Sequence, residues 1–158
     1  MAVDMFLKLD GIEGESTDSK HKGEIEVLSF SWGVSNSATA GRGGAGAGKV
    51  SPTDFSIVKR LDTASPQLIE KICHGEHLGS GLLTLRNAGE NQQEYLKFEL
   101  KNVLISSYQT GGSGGESEPV EQVSFSFESV AVSAAEQGKD GSIGGWKTST
   151  SCSFGRLR

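Results

Sequence analysis

Along most of this chain apolar and polar residues alternate with a period of two, the spacing that brings every second side chain of an extended strand to one face. The fold class this predicts is mainly β. Val3, Met5, Leu7 and Leu9 alternate with Asp4, Phe6, Lys8 and Asp10, as in an opening strand buried on one side. Residues 11–14 turn the chain and residues 15–23 form a polar loop. Alternation resumes over residues 24–32, with Leu28, Phe30 and Trp32 on one face and Ile25, Val27, Ser29 and Ser31 on the other, a face that passes from apolar to hydroxyl. Further strands are expected over residues 55–61 and 82–86, each bounded by glycine, proline or polar turn residues.

The longest run, residues 95–108, puts Leu96, Phe98, Leu100 and Leu104 together, with Lys97, Glu99 and Lys101 alternating in sign on a solvated face opposite. In residues 120–132 the apolar positions are odd at Val123, Phe125 and Phe127, then even at Val130 and Val132. The buried phase thus slips near Glu128 and Ser129, and a β-bulge is the simplest cause; bulges bend strands as a closed barrel requires. Residues 111–117, rich in glycine and serine, read as a hairpin-like connection that Pro119 ends, and a last strand starts near Trp146. One helix interrupts the pattern, with Ser65 as N-cap, Pro66 in the first turn and Gly75 as the stop. Its apolar face is Leu68, Ile69, Ile72 and Cys73, which should lie against the barrel as a lid.

Composition sharpens this. Residues 1–158 suit one domain with one core. Hydrophobic residues make up 35% and glycine 22 positions, so the usual apolar share of about 45–50% is approached only by counting glycine; a thin core makes burial against neighbouring copies plausible. With a net charge of −5 and Lys and Arg scattered singly, there is no footprint for a phosphate backbone and no nucleic-acid partner is expected. Residues 1–11 lack the apolar centre of a secretory signal, and no stretch approaches the ~18 apolar residues of a membrane span, so folding in the cytoplasm without membrane insertion is expected. Cys73 and Cys152 fit neither a disulfide framework nor a zinc site and read as reduced, structural residues.

Gly41, Gly43 and Gly46 satisfy a G-x-G-x-x-G spacing, and residues 43–49 nearly make a phosphate-binding loop. The context fails: Val50 stands where Ser or Thr would hold magnesium, residues 35–40 are no apolar strand, and Pro52, Thr53 and Asp54 read as a turn. A long glycine loop that lets backbones of two subunits approach closely is the better reading. Cys73, His74 and His77 cluster at the helix end, but adjacent helical residues do not face each other and His77 lies past Gly75, so neither a nucleophile pair nor a metal site is specified. His21 is isolated in its loop. With no nucleophile elbow, H-E-x-x-H helix or compact carboxylate pair, no catalytic residue, metal or cofactor is expected.

Several motifs in order, spread over nearly the whole chain, resemble the hemolysin-coregulated protein (Hcp) family. They are Met1-Ala2-Val3-Asp4-Met5-Phe6-Leu7-Lys8, Gly14-Glu15-Ser16, Ile25-Glu26-Val27-Leu28-Ser29-Phe30-Ser31-Trp32-Gly33 and Gly43-Gly44-Ala45-Gly46-Ala47-Gly48-Lys49-Val50 leading into Asp54-Phe55-Ser56. After the helix start at Ser65-Pro66 come Glu90-Asn91-Gln92-Gln93-Glu94-Tyr95-Leu96, Val103-Leu104-Ile105-Ser106-Ser107 and Gly111-Gly112-Ser113-Gly114-Gly115-Glu116. Residues 147–158 match no family pattern, and either complete the barrel with Trp146 and Phe154 inward or form a surface tail.

The resemblance implies a two-sheet β-barrel with one flanking helix, six copies of which form a ring that stacks into the tube of the bacterial type VI secretion system. It implies a valine-glycine repeat spike protein at the tip, a contractile sheath outside, effector proteins carried or chaperoned within, and export without a signal peptide. On this reading Ser31 faces the channel and touches effectors, while Gly41, Arg42, Gly43, Gly44, Gly46, Gly48 and Lys49 belong to a loop that joins rings. The rival readings are a phage tail-tube subunit, a small monomeric β-barrel that binds a ligand, and a Cys or His hydrolase.

Overall fold

The residues between Ile25 and Ser31 decide the architecture, because they serve both ends of one sheet. In the computed structural model, which describes residues 2–37, 49–89, 92–115, 118–137, 143–149 and 151–154, β1 (Val3–Leu9) pairs with β2 (Ile25–Val27), and β3 (Ser29–Ser31) pairs with β6 (Phe55–Arg60). Between β1 and β6 run β7 (His77–Asn87), β8 (Glu94–Gly111) and β9 (Val120–Gln137), giving the order β2-β1-β7-β8-β9-β6-β3, with every neighbouring pair antiparallel. β2 and β3 are therefore the two edges of the sheet and also neighbours in the chain, separated only by Leu28. The Leu28 N–H donates to Val58 O at 2.7 Å, so the corner between the two edges is fastened to β6 and the sheet is nearly closed into a barrel.

Residues 24–32 are consequently not one strand of single phase. Ile25 and Val27 are core residues, Leu28 is exposed, and Phe30 and Trp32 then turn inward while Ser29 and Ser31 face out. The strand changes partner at Leu28, and a change of partner around a corner re-aims the pleat.

The phase slip near Glu128 also has a different cause from the one expected. Val103 pairs with Phe127 and Lys101 with Ser129, so no extra residue is inserted between β8 and β9 there; the bulge lies at Ser106, between Ile105 and Ser107. Instead the three central strands switch faces along one line. β7 is buried at Leu78 and then at Gly81 and Leu83; β8 at Phe98 and Leu100 and then at Val103 and Ile105; β9 at Phe127 and then at Val130. Asn102 sits on that line with φ 51°, a conformation Asn tolerates better than most residues, and its Nδ2 donates to Glu128 Oε2 at 3.0 Å. This also moves Leu104 off the face of Leu100, contrary to a straight reading of the alternation.

β7 is longer than the expected 82–86, since Gly79 and Gly81 lie within it; a Cβ on Gly79 would come 2.7 Å from Asp10 Oδ2. A second, two-stranded sheet joins β4 (Val34–Asn36) to β5 (Val50–Pro52), and β10 (Ile143–Thr148) and β11 (Cys152–Ser153) both extend the barrel at β9. The mainly β barrel with a flanking helix is thus the observed fold, with β4 and β5 as its small second sheet.

Helix α1 (Ala64–His74) is flanked by Thr63, which makes no side-chain cap, and ends at Gly75 in the left-handed region. Ser65 is inside the helix rather than its cap. Asp62 takes the capping role, its Oδ1 accepting from the Ala64 N–H at 3.0 Å. Ser65 Oγ instead donates to Glu121 Oε1, which also receives Lys59 Nζ; both bonds are 2.5 Å and wholly buried. The aliphatic stem of Lys59 thus crosses the core and its charge is paired beneath the helix start, also with Asp62 Oδ1 at 2.8 Å. The buried face of the helix is Ala64, Ser65 and Leu68, with Ile72 packed against the core; Ile69 and Cys73 point outward.

Candidate functional site

Ser31 lies on the outer face of the barrel, and the register shows what surrounds it. Ser31 pairs with Ser56, Ser56 with Ser124, and Ser124 with Ser107, so one row of serines crosses β3, β6, β9 and β8. Ser56 Oγ and Ser124 Oγ are 2.9 Å apart. The next row is Ser29, Val58, Gln122 and Gln109. None of these eight positions carries a charge, in a chain of which 22% of residues are charged. Behind them stand Phe30, Phe55, Ile57, Val123 and Phe125, so the face is small, neutral and rigidly backed. Asp54 closes one border, its two oxygens accepting from Ser106 at 2.7 Å and Ser126 at 3.1 Å.

Ser56 and Ser124 alternate with core residues in their own strands, whereas Ser107 has the parity of buried Val103 and Ile105 and is turned outward only by the bulge at Ser106. What alternation could not supply was the register that aligns four strands.

Lys49 stands at the root of the glycine loop. Its N–H donates to Ser37 Oγ at 3.0 Å and its carbonyl accepts from the Ser37 N–H at 3.1 Å, extending the β4–β5 ladder. Gly41, Arg42, Gly43, Gly44, Gly46 and Gly48 lie outside the described residues. Val34 and Val50, at 51% and 46% exposure, leave the arm with apolar side chains in solvent.

His21 is far from isolated. It is buried, its ring stacks on Phe6 at 4.5 Å, and its Nδ1 and Nε2 each lie 2.8 Å from a carboxylate, Glu24 and Glu94. Ionised carboxylates only accept, so both bonds are made when both ring nitrogens carry hydrogen. Burial alone would raise Glu94, but the bond from His21 together with Lys97 brings its carboxyl below the ordinary value. The guanidinium of Arg86 lies over Phe6 at 4.7 Å and grips Asp18 bidentately at 2.9 and 2.7 Å. That grip holds the Asp18 carboxyl down at about 2. The polar loop 15–23 is thereby clasped to β1, β7 and β8. One signal in the sequence pointed here: Phe6 stands between Asp4 and Lys8 on the polar side of its strand and needed a cover.

The residues weighed for chemistry are not brought together. Cys73 is exposed, His74 meets Glu76 at 3.7 Å, and His77 meets Asn102 at 3.1 Å. Among the described residues no group of three or more His, Cys, Asp or Glu could hold a metal ion. Cys152 is exposed as well, so neither cysteine is a core residue. Of the two aromatic residues near the chain end, Phe154 packs on Phe127 at 5.8 Å while Trp146 is 42% exposed beneath Lys97.

Comparison with known proteins bears on this arrangement. The profile of the family described as type VI secretion system effector, Hcp, matches residues 6–133. The chain belongs to the Hcp family. It is 47% identical over 147 residues to protein hcp1 of Pseudomonas aeruginosa, covering 92% of this chain and 91% of that one. Among solved structures, Hcp1 from Salmonella typhimurium superposes with a TM-score of 0.80 at 37% identity, covering 98% and 96% of the two chains. A type VI secretion system effector from Yersinia pestis gives 0.77 at 32% identity, covering 95% and 99%. This Hcp-family chain is accordingly a structural tube protein of the type VI secretion system, secreted by that system. The profile match stops before residues 147–158, the stretch in which no family pattern was found. No described helix is long and apolar enough to cross a membrane.

Proposed function

We propose that residues 1–158 form one Hcp-like barrel domain, six copies of which close into a ring with the serine face of β3, β6, β9 and β8 lining the channel. A repeated heterologous contact with a closing rotation generates such a ring, and further copies stack into a tube. The observation that carries this reading is the pair of aligned, uncharged rows through Ser31 and Ser29. A wall of small hydroxyls can bind many protein surfaces weakly and release them, because it buries no charge and requires no single partner geometry. On this reading the rings carry and chaperone effector proteins, bear a valine-glycine repeat spike protein at the tip, and sit within contractile sheath proteins. The subunit waits in the cytoplasm before firing and performs no catalysis of its own. The arm of β4 and β5, with the loop of residues 41–49 at its end, is the element offered to the adjoining ring; its exposed valines favour a partner.

The test combines imaging with cargo capture. Negative-stain images of the purified protein should show six-fold rings, and Ser31→Trp should leave those rings intact while lowering co-purified effector at least several-fold. Monomers at high concentration would overturn the ring, and undiminished capture of every effector by Ser31→Trp would overturn the assignment of the channel face. A phage tail-tube subunit would also give rings, and gene neighbours separate the two.

A further inference from the structure

Next to the corner at Leu28 the barrel carries a groove with an apolar floor and acidic walls. Leu28 and Leu61, 41% and 54% exposed, line a cavity of about 240 Å³ together with Glu15, Glu26, Asp62 and Glu118. Among the described residues Arg60 is the single basic residue lining this cavity, and it is turned to Glu118 at 3.8 Å. A second cavity of about 410 Å³ shares Glu26, Leu28 and Arg60, so the groove continues along the barrel past Asp4 and Met5. Two leucines left in solvent among four carboxylates, of which Asp62 is held by Lys59 and Glu118 faces Arg60, ask for a partner that is apolar in its middle and cationic on both sides.

The chain itself contains such a segment. Residues 155–158 read Gly-Arg-Leu-Arg, a leucine between two arginines. The same copy cannot deliver it. The Phe154 N–H is bonded to Glu128 O, whereas the groove lies beside residue 120, which pairs with Arg60. Residues 120 to 128 of an extended strand span roughly 26 Å, and residues 154 to 158 reach at most about 14 Å.

We propose that the Arg156-Leu157-Arg158 segment of one copy docks in the acidic groove of a neighbouring copy, Leu157 against Leu28 and Leu61 and the two guanidiniums among Glu15, Glu26 and Glu118. This rests on the reading that copies assemble, and names a contact that would hold them together. Bidentate arginine–carboxylate pairs at the rim of an apolar contact supply direction, and their exposure makes the contact sensitive to salt.

The test uses a fluorescein-labelled peptide of residues 149–158 titrated onto Arg156→Glu/Arg158→Glu protein, whose own segments cannot compete. Anisotropy should report binding at low salt that weakens at least ten-fold in protein also carrying Glu15→Lys/Glu26→Lys, and several-fold between about 50 and 200 mM salt. No binding, or equal binding to the protein with the reversed groove, would overturn the proposal. All substituted positions are exposed or outside the described residues, and circular dichroism of each variant confirms folding. Ring images of the unmodified protein are scored separately: absent rings count against the assembly itself, whereas normal rings with no peptide binding count against this contact alone.

Discussion

At the scale of single residues, charge placement does two separate jobs. Lys59 and Glu121 have no exposure to solvent, yet they fasten the start of α1 to β6 and β9 through Ser65. Such a pair gains little net stability, because desolvation offsets much of its attraction, but it penalises any packing that separates the partners. Arg86 acts on the other side of the barrel, holding loop 15–23 through Asp18. A carboxyl depressed in the folded state from 3.8 to about 2 adds stability that is fully present above about pH 4 and is lost as pH falls through about 2. Asp18→Asn should therefore lower the unfolding midpoint near neutral pH, and the gap from the parent protein should shrink progressively between about pH 4 and pH 2. Urea titrations at several pH values measure it; a gap that does not vary with pH would show that Asp18 is not held by charge. Arg86 alternates correctly on its strand, whereas Lys59 stands in the buried phase of Phe55 and Ile57, and in both cases only the approach of distant segments reveals the partner.

At the scale of elements, the helix shows how far a pattern can be read. Its existence, its glycine stop and the inward place of Leu68 follow from spacing and turn chemistry, and the structure has all three. Its rotation does not follow, since Leu68, Ile69, Ile72 and Cys73 span an arc wider than the contact. The barrel surface selects Ala64, Ser65 and Leu68, because the buried Glu121 requires the Ser65 hydroxyl. Leu68→Ala should cost roughly 2–5 kcal/mol, as for other fully buried leucines, whereas Ile69→Ala should stay within about 0.5 kcal/mol. Chemical denaturation of the two variants distinguishes this helix face from the broader one. The shared switch of β7, β8 and β9 is a further property of elements in contact: a slip in β9 alone looks like a bulge, and only the neighbouring strands show that all three turn together.

At the scale of the whole molecule, closure sets the order of stability. The Leu28 N–H bond to Val58 fastens the corner between the two edge strands to β6, so it should open only when the barrel does. Strand β10 pairs with β9 alone among the described residues. In native-state hydrogen exchange the Leu28 amide should exchange at the rate of global unfolding, with protection at least a hundred-fold greater than that of the Lys147 amide in β10. Comparable rates at the two positions would mean that the corner is a seam rather than a closure.

The sequence by itself determined the mainly β class, the helix and its end, the inward aromatic residues Phe30 and Trp32, the outward Ser31 and, through ordered motifs, the family. These are local properties: period, turn chemistry and short motifs involve residues close along the chain. Tertiary structure alone decided the change of partner at Leu28, the alignment of four serines across four strands, the clasp around His21 and Arg86, and the groove between Leu28 and Leu61. Each of these depends on the register between segments tens of residues apart, and register comes from packing many side chains at once rather than from any one strand's alternation.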